Sequence, residues 1–130
     1  MPYSTLICDL KNSRNLINRE EIQYKIIDML KLANDKFKDI IVSPFLITLG
    51  DEWQGLLTYP CDYVEIINFF FNYLTDIDFY CGIGIGDVSI HNFELTVNQL
   101  DGPSFHRARE AVTYAKANNL PVVILFDEWK

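Results

Sequence analysis

The sequence predicts an α+β fold, with β-type runs and amphipathic helices in the order β-α-β-β-α-β, the ferredoxin-like split arrangement. One further helix and strand are added at the C-terminus. Three observations support this. Short runs rich in Val, Ile, Phe, Tyr and Leu are bounded by Gly, Pro, Asn and Asp. Apolar residues recur at helical spacing in the stretches between them. The second and third runs meet at Gly50-Asp51, a dipeptide suited to a tight hairpin because Gly takes positive φ without steric cost.

Tyr3 to Asp9 reads as the first strand, and Lys11 to Ile17 as a polar loop. Asn18, with Glu21 three residues later, resembles a capping box. The helix that follows carries Ile22, Ile26, Leu30, Ala33 and Phe37 on one stripe with Met29 beside them, and ends near Lys38. Val42 to Leu49 and Trp53 to Tyr59 are the hairpin strands, and Pro60 stops the second. Asp62 and Glu65 open a second helix with the stripe Tyr63, Ile66, Ile67, Phe70 and Leu74. Asp78 to Val88 alternates unevenly. Phe79, Cys81, Ile83 and Ile85 form a core face, while Tyr80, Gly82, Gly84 and Gly86 leave the other nearly bare. His91 to Leu100 is irregular or a short extra strand. A third helix starts around Asp101 to Pro103, buries Phe105, Ala108, Val112 and Ala115, and ends at Asn118-Asn119. Val122 to Phe126 is the final strand.

At 130 residues, 49% hydrophobic and 22% charged, the chain is of a size for one globular domain with a sizeable core. Its net charge of −7 argues against direct nucleic-acid binding by this domain, because phosphate contacts supply most non-specific affinity for DNA. A nucleotide carried on Mg²⁺ is a different case, since the metal supplies the positive charge. Cys8, Cys61 and Cys81 are too few and scattered for a disulfide scaffold, and they read as reduced, mostly buried thiols. The N-terminus has no signal-peptide pattern, and the apolar stretch Ile66 to Leu74 is too short to span a bilayer. The expectation is a cytoplasmic protein without membrane contact.

The chemistry centres on Asp9, which ends the first strand, and Asp51 in the hairpin turn. If the two strands are neighbours, both carboxylates meet at one sheet edge. Two carboxylates about 4 Å apart repel by roughly 4 kcal/mol at an effective dielectric of about 20, and a hard divalent cation removes that penalty. The alternative is that both are turn acids facing water. Glu52 reads as a solvated hairpin residue, with a metal or supporting role as the minority reading. Trp53 reads as sheet packing rather than base stacking. The row Gly82, Gly84, Gly86 is not a dinucleotide fingerprint, since no G-x-G-x-x-G opens a helix. Bare strand backbone marks close approach by a neighbouring loop of the chain, a ligand or a second copy, and of these the expectation carried forward is a homodimer formed through that face, with the helices on the other. Lys11 and Arg14 are exposed loop cations with phosphate contact as the minority reading. His106 and Arg109 sit at polar positions of an amphipathic helix.

Four ordered motifs resemble the SatD family of bacteria. They are Cys-Asp-Leu-Lys-Asn-Ser-Arg at 8–14, Thr-Leu-Gly-Asp-Glu-Trp-Gln-Gly-Leu-Leu at 48–57, Gly-Ile-Gly-Ile-Gly at 82–86 and Asp-Gly-Pro-Ser-Phe-His-Arg-Ala-Arg-Glu at 101–110. The resemblance covers essentially the whole chain. It implies a single palm domain over residues 1–130, as the N-terminal part of a longer protein that continues into a helix-turn-helix-like segment. The landmarks are more distantly similar to class III nucleotidyl cyclases, and the hairpin to GGDEF diguanylate cyclases.

That likeness implies metal ligation, by Mg²⁺ or Mn²⁺, at Asp9 and Asp51, with Leu10 offering a backbone carbonyl. It implies phosphate cradling of a nucleoside triphosphate by Asn12, Ser13, Arg14 and the hairpin Gly50. The departures are equally specific. The Asn and Arg that class III cyclases carry on the third helix are His106 and Glu110 here. The base-reading positions are Ile47 and Gln99, and the first Gly of the GGDEF pattern is Leu49. His106 and Arg109 are the weak catalytic candidates that remain. Three readings follow. One is a Mg²⁺-dependent nucleotide-binding domain, a degenerate nucleotidyl cyclase or phosphoryl-transfer domain. Another is a non-catalytic regulatory or dimerisation domain of a helix-turn-helix regulator. The third is a structural interaction module whose acids face water.

Overall fold

The computed structural model describes residues 2–11, 17–49, 51–89, 92 and 95–126. Among them the chain forms β1 (Tyr3–Leu10), α1 (Arg19–Lys36), β2 (Ile41–Leu49), β3 (Glu52–Thr58), α2 (Tyr63–Tyr73), β4 (Phe79–Gly86), α3 (Pro103–Asn118) and β5 (Val122–Leu125). The strands form one sheet in the order β2-β3-β1-β4-β5. β1 pairs antiparallel with both β3 and β4, β2 antiparallel with β3, and β5 parallel with β4. The α+β architecture expected from the sequence is therefore present. Between β4 and α3 the described residues include a turn at Thr96 to Gln99 and no strand.

Alternation along the strands divides the molecule into two layers of packing. Leu6, Cys8 and Leu10 of β1, Trp53 and Leu57 of β3, and Phe79, Cys81, Ile83 and Ile85 of β4 face α1 and α2. There they meet Ile22, Ile26, Met29, Leu30, Ala33, Ile66, Ile67 and Phe70, residues of the apolar stripes read from the sequence together with their neighbours. Trp53 is fully buried and packs edge-on to Phe70 and tilted against Phe79, as sheet packing requires. Cys8 and Cys81 oppose each other across β1 and β4 with their sulfurs 3.4 Å apart. Burial pushes the Cys8 thiol well above its ordinary range, which keeps it a thiol.

The second face corrects the expectation that the helices share one side. α3 crosses the opposite face, where Ala108 and Val112 pack on Ile7. The same observation overturns the proposed dimer surface. A Cβ at Gly82 would overlap the backbone of Ala108 and Val112, and one at Gly84 the backbone of Ser104 and Ala108. The glycines are bare because the chain's own helix lies on them. Ser104 pins that contact, donating to the Gly84 carbonyl at 2.8 Å and meeting the Thr5 hydroxyl at 2.7 Å.

The free edge at β2 is managed by a side chain. Asn34 of α1 accepts from the Phe45 N–H at 2.8 Å and donates to the Phe45 carbonyl at 3.0 Å, taking the place of a neighbouring strand. Asp62 caps α2 through the Glu65 N–H as expected. Asn18 makes no side-chain cap bond to the α1 backbone, and its amide instead meets the Glu21 carboxylate at 3.4 Å. No described helix is long and apolar enough to cross a membrane.

Candidate functional site

Asp9 lies on the α3 side of β1, in the same alternation as Thr5 and Ile7. Its Cα partner across the β1–β3 ladder is Glu52. Residues directly opposite in an antiparallel pair hold their Cβ atoms about 4.5–5.5 Å apart, so two acids face each other at the end of adjoining strands. Asp51 stands next to them, its carbonyl accepting from the Leu10 N–H at 3.0 Å. Three consecutive decisions of the chain bring these acids together: the end of an apolar strand, a hairpin, and a pairing register that sets position 9 against position 52.

Cations from α3 meet them. Arg109 and Lys116 are seven residues apart, two turns of helix, and so lie on one face. Arg109 holds Glu52 with both terminal nitrogens, Nη1 to Oε1 and Nη2 to Oε2, the latter at 3.0 Å. The Thr48 hydroxyl adds a third bond to Glu52 at 2.8 Å. Lys116 Nζ donates to Asp9 Oδ2 at 2.8 Å. The acids are buried, 2% exposed at the Glu52 side chain and 12% at Asp9, while both cations are about half exposed. Lys11, on the other side of Asp9, lies over the Tyr80 ring at 4.6 Å from its centroid.

Electrostatics follow from this geometry. Burial raises the Asp9 pKa above the ordinary carboxylate value, Lys116 pulls it down, and Asp51 and Glu52 push it up. The bond to Asp9 raises Lys116, and the charges of Asp51 and Glu52 add to the effect. The bond to Glu52 raises Arg109.

The sequence-derived site residues fare unevenly. Asp9 and Asp51 sit at the same end of neighbouring strands. Asn12, Ser13, Arg14 and Gly50 lie outside the described residues. His106 pairs with Asp101 at 2.9 Å, both largely exposed, toward the other end of α3. It is ten residues before Lys116, about 15 Å along the helix axis. Arg109 reaches the cluster, but as the partner of Glu52. Glu52 itself corrects the reading of a solvated hairpin acid, because its carboxylate is buried under α3. Ile47 packs toward α1 and α2, on the sheet face away from the cluster. Lys116 was missed altogether. The signal that could have found it is its spacing from Arg109 beside the buried Ala108, Val112 and Ala115.

The carboxylates offer hard oxygen ligands of the type Mg²⁺ and Mn²⁺ take. Among the described residues no group of three or more His, Cys, Asp or Glu side chains is placed to hold a metal ion. Mg²⁺ needs fewer, since one or two carboxylates suffice when substrate phosphates complete its shell. The donor chemistry at Asp9 and Asp51 fits such an ion, with the Lys116 ammonium now on Asp9.

The SatD family model matches residues 3–120. No curated protein sequence matches significantly. Several solved structures share the fold. An EAL/GGDEF domain protein from M. capsulatus superposes with a TM-score of 0.57 at 14% identity, over 95% of this chain and 84% of that one. The guanylate cyclase domain of a protein from Catenaria anguillulae, solved with GTP, gives 0.55 at 12% identity, over 86% and 72%. A dimeric guanylyl cyclase domain from the aquatic fungus Blastocladiella emersonii gives 0.55 at 13% identity, over 86% and 73%. These likenesses establish a nucleotidyl-cyclase-like palm fold.

Proposed function

The chain belongs to the SatD family, and on that premise we propose that it is a Mg²⁺-dependent nucleotide-binding domain, a degenerate relative of the nucleotidyl cyclases. In this reading Asp9 and Asp51 hold the metal. Asn12, Ser13 and Arg14 after β1, with Gly50 of the hairpin, receive the phosphates of a nucleoside triphosphate. The supporting observation is the convergence of Asp9, Asp51 and Glu52 at one end of β1 and β3, on a palm fold shared with a domain solved with GTP.

A bound Mg²⁺ would neutralise phosphate charge and polarise a phosphoryl oxygen. The chain's own residues do the rest. Asp9 and Asp51 fix where the cation stands. Glu52, held by Arg109 and Thr48, ties α3 to the hairpin beside them. Arg109 is thereby committed to Glu52 rather than to a transferring phosphoryl group. That commitment favours binding without efficient turnover, as in a nucleotide sensor. Self-association belongs to the reading, through a surface other than the glycine face, and one of the similar cyclase domains is dimeric.

The test is a thermal-shift panel of nucleoside triphosphates and cyclic nucleotides with and without Mg²⁺. Binding to the folded state stabilises it by about 2.7 kcal/mol at one hundred times Kd. The expected result is a rise in Tm with metal and nucleotide together, larger than with metal alone, that is lost in Asp51→Asn. Melting curves that stay unchanged across the panel overturn the reading.

A further inference from the structure

We propose that Lys116 is an internal competitor for the cation site, occupying Asp9 in the metal-free protein and leaving it when a divalent cation binds. Lys116 then sets how tightly the site takes metal. The inference rests on the assignment of Asp9 as a metal ligand made above.

Two ion pairs join α3 to the acids, and they differ in kind. Arg109 grips Glu52 through two parallel bonds, Thr48 adds another, and the carboxylate is almost fully buried. Bidentate guanidinium–carboxylate pairs are geometrically specific and hard to replace. Lys116 makes one bond, to one oxygen of Asp9, from an ammonium that is half in solvent. Of the two cations it is the one that can leave.

The helix that carries it cannot follow. α3 lies directly on the backbone of β4 at Gly82 and Gly84, and Ser104 bonds across to Gly84 and Thr5. Opening the site therefore falls to the flexible four-carbon stem of Lys116, whose charge returns to water at little cost. Asp9 Oδ2 cannot be shared, because an ammonium at hydrogen-bond distance repels a dication on the same oxygen. On either oxygen of Asp9 a dication faces the same repulsion from the nearby ammonium, so metal binding and the Lys116–Asp9 bond oppose each other.

The experiment is a calorimetric titration of the full chain with MnCl₂ and no nucleotide. It compares wild type, Lys116→Met, Lys116→Gln and Asp9→Asn, each checked for folding by circular dichroism. Methionine removes the charge without adding an oxygen ligand, and glutamine controls for lost polarity. Both Lys116 variants are expected to bind Mn²⁺ roughly tenfold more tightly than wild type, about 1.4 kcal/mol, and Asp9→Asn to lose binding. Equal or weaker binding in both variants, with Asp9→Asn still defective, overturns the competitor role and leaves Asp9 as a ligand. Absence of binding in wild type and in both Lys116 variants overturns the competitor role and the metal assignment together.

Discussion

Burial raises the pKa of Asp9, and Asp51 and Glu52 push the same way, while the Lys116 ammonium pulls it down without cancelling them. Between the unfolded and the folded pKa the native protein then binds more protons than the unfolded chain, so this group makes the fold less stable as pH rises through that window. Above the folded pKa the penalty is complete. Asp9→Asn should remove it, because a neutral amide keeps the shape and Lys116 is half exposed and returns to water. We expect the variant to be more stable than wild type by about 0.5–2 kcal/mol near neutral pH without divalent ions, the gain typical of relieving a functional site. The difference should vanish at pH values below both pKa values. Urea denaturation at several pH values measures it, and an Asp9→Asn protein less stable than wild type at neutral pH contradicts the electrostatic account. Asp9 was legible in the sequence because an acid closing an apolar strand breaks that strand's pattern. Glu52 was not. A hairpin acid faces water by default, and the cation that compensates its burial, Arg109, comes 57 positions later. Lys116 was hidden for the same reason, since a helix cation shows its partner only once the fold has brought a distant strand beneath it.

At the scale of elements, local periodicity carried most of the fold. The buried stripes of α1 and α2 match their helical spacing, and the uneven alternation of β4 was read with its core face correct. What periodicity could not say was which body covers Gly82, Gly84 and Gly86. Bare strand backbone is complementary to any close partner, another copy or a helix of the same chain. The deciding feature is the small-residue face of α3, Ser104, Ala108, Ala111 and Ala115, which lets a helix approach β4 to backbone contact. Gly84→Ala tests that contact. Its new methyl group meets the backbone of Ser104 and Ala108 rather than a movable side chain, so the cost belongs at the upper end for overpacking, about 3 kcal/mol. Equilibrium urea denaturation should show this as a lower midpoint with an unchanged slope. A loss below about 1 kcal/mol would mean that α3 lifts from the strand without penalty.

For the whole molecule, the fold is that of the nucleotidyl cyclases, but its charge distribution differs from what cyclisation requires. The chain carries a net charge of −7. The position from which the resemblance leads one to expect a transition-state arginine is Glu110, which is exposed and acidic. Of the cations on α3, Arg109, the one nearest that position, is committed to Glu52 through two bonds. Preorganised positive charge at developing phosphoryl charge is a large catalytic term, and losing one such donor costs about 10²–10³ in rate. The positions that the resemblance assigns to base reading depart in the same direction, since Ile47 packs toward α1 and α2 and Gln99 lies exposed in the segment before α3. Purified protein incubated with ATP or GTP and Mn²⁺ should therefore yield little cyclic product by mass spectrometry, even at concentrations where the same nucleotide raises Tm. Binding without turnover is what a palm is expected to show when its ion pair with Glu52 keeps Arg109 from the phosphates. Robust formation of cyclic nucleotide would mean that Arg109 leaves Glu52 to act on the phosphates, and the reading of Arg109 as a tether of α3 rather than a catalytic cation would fall.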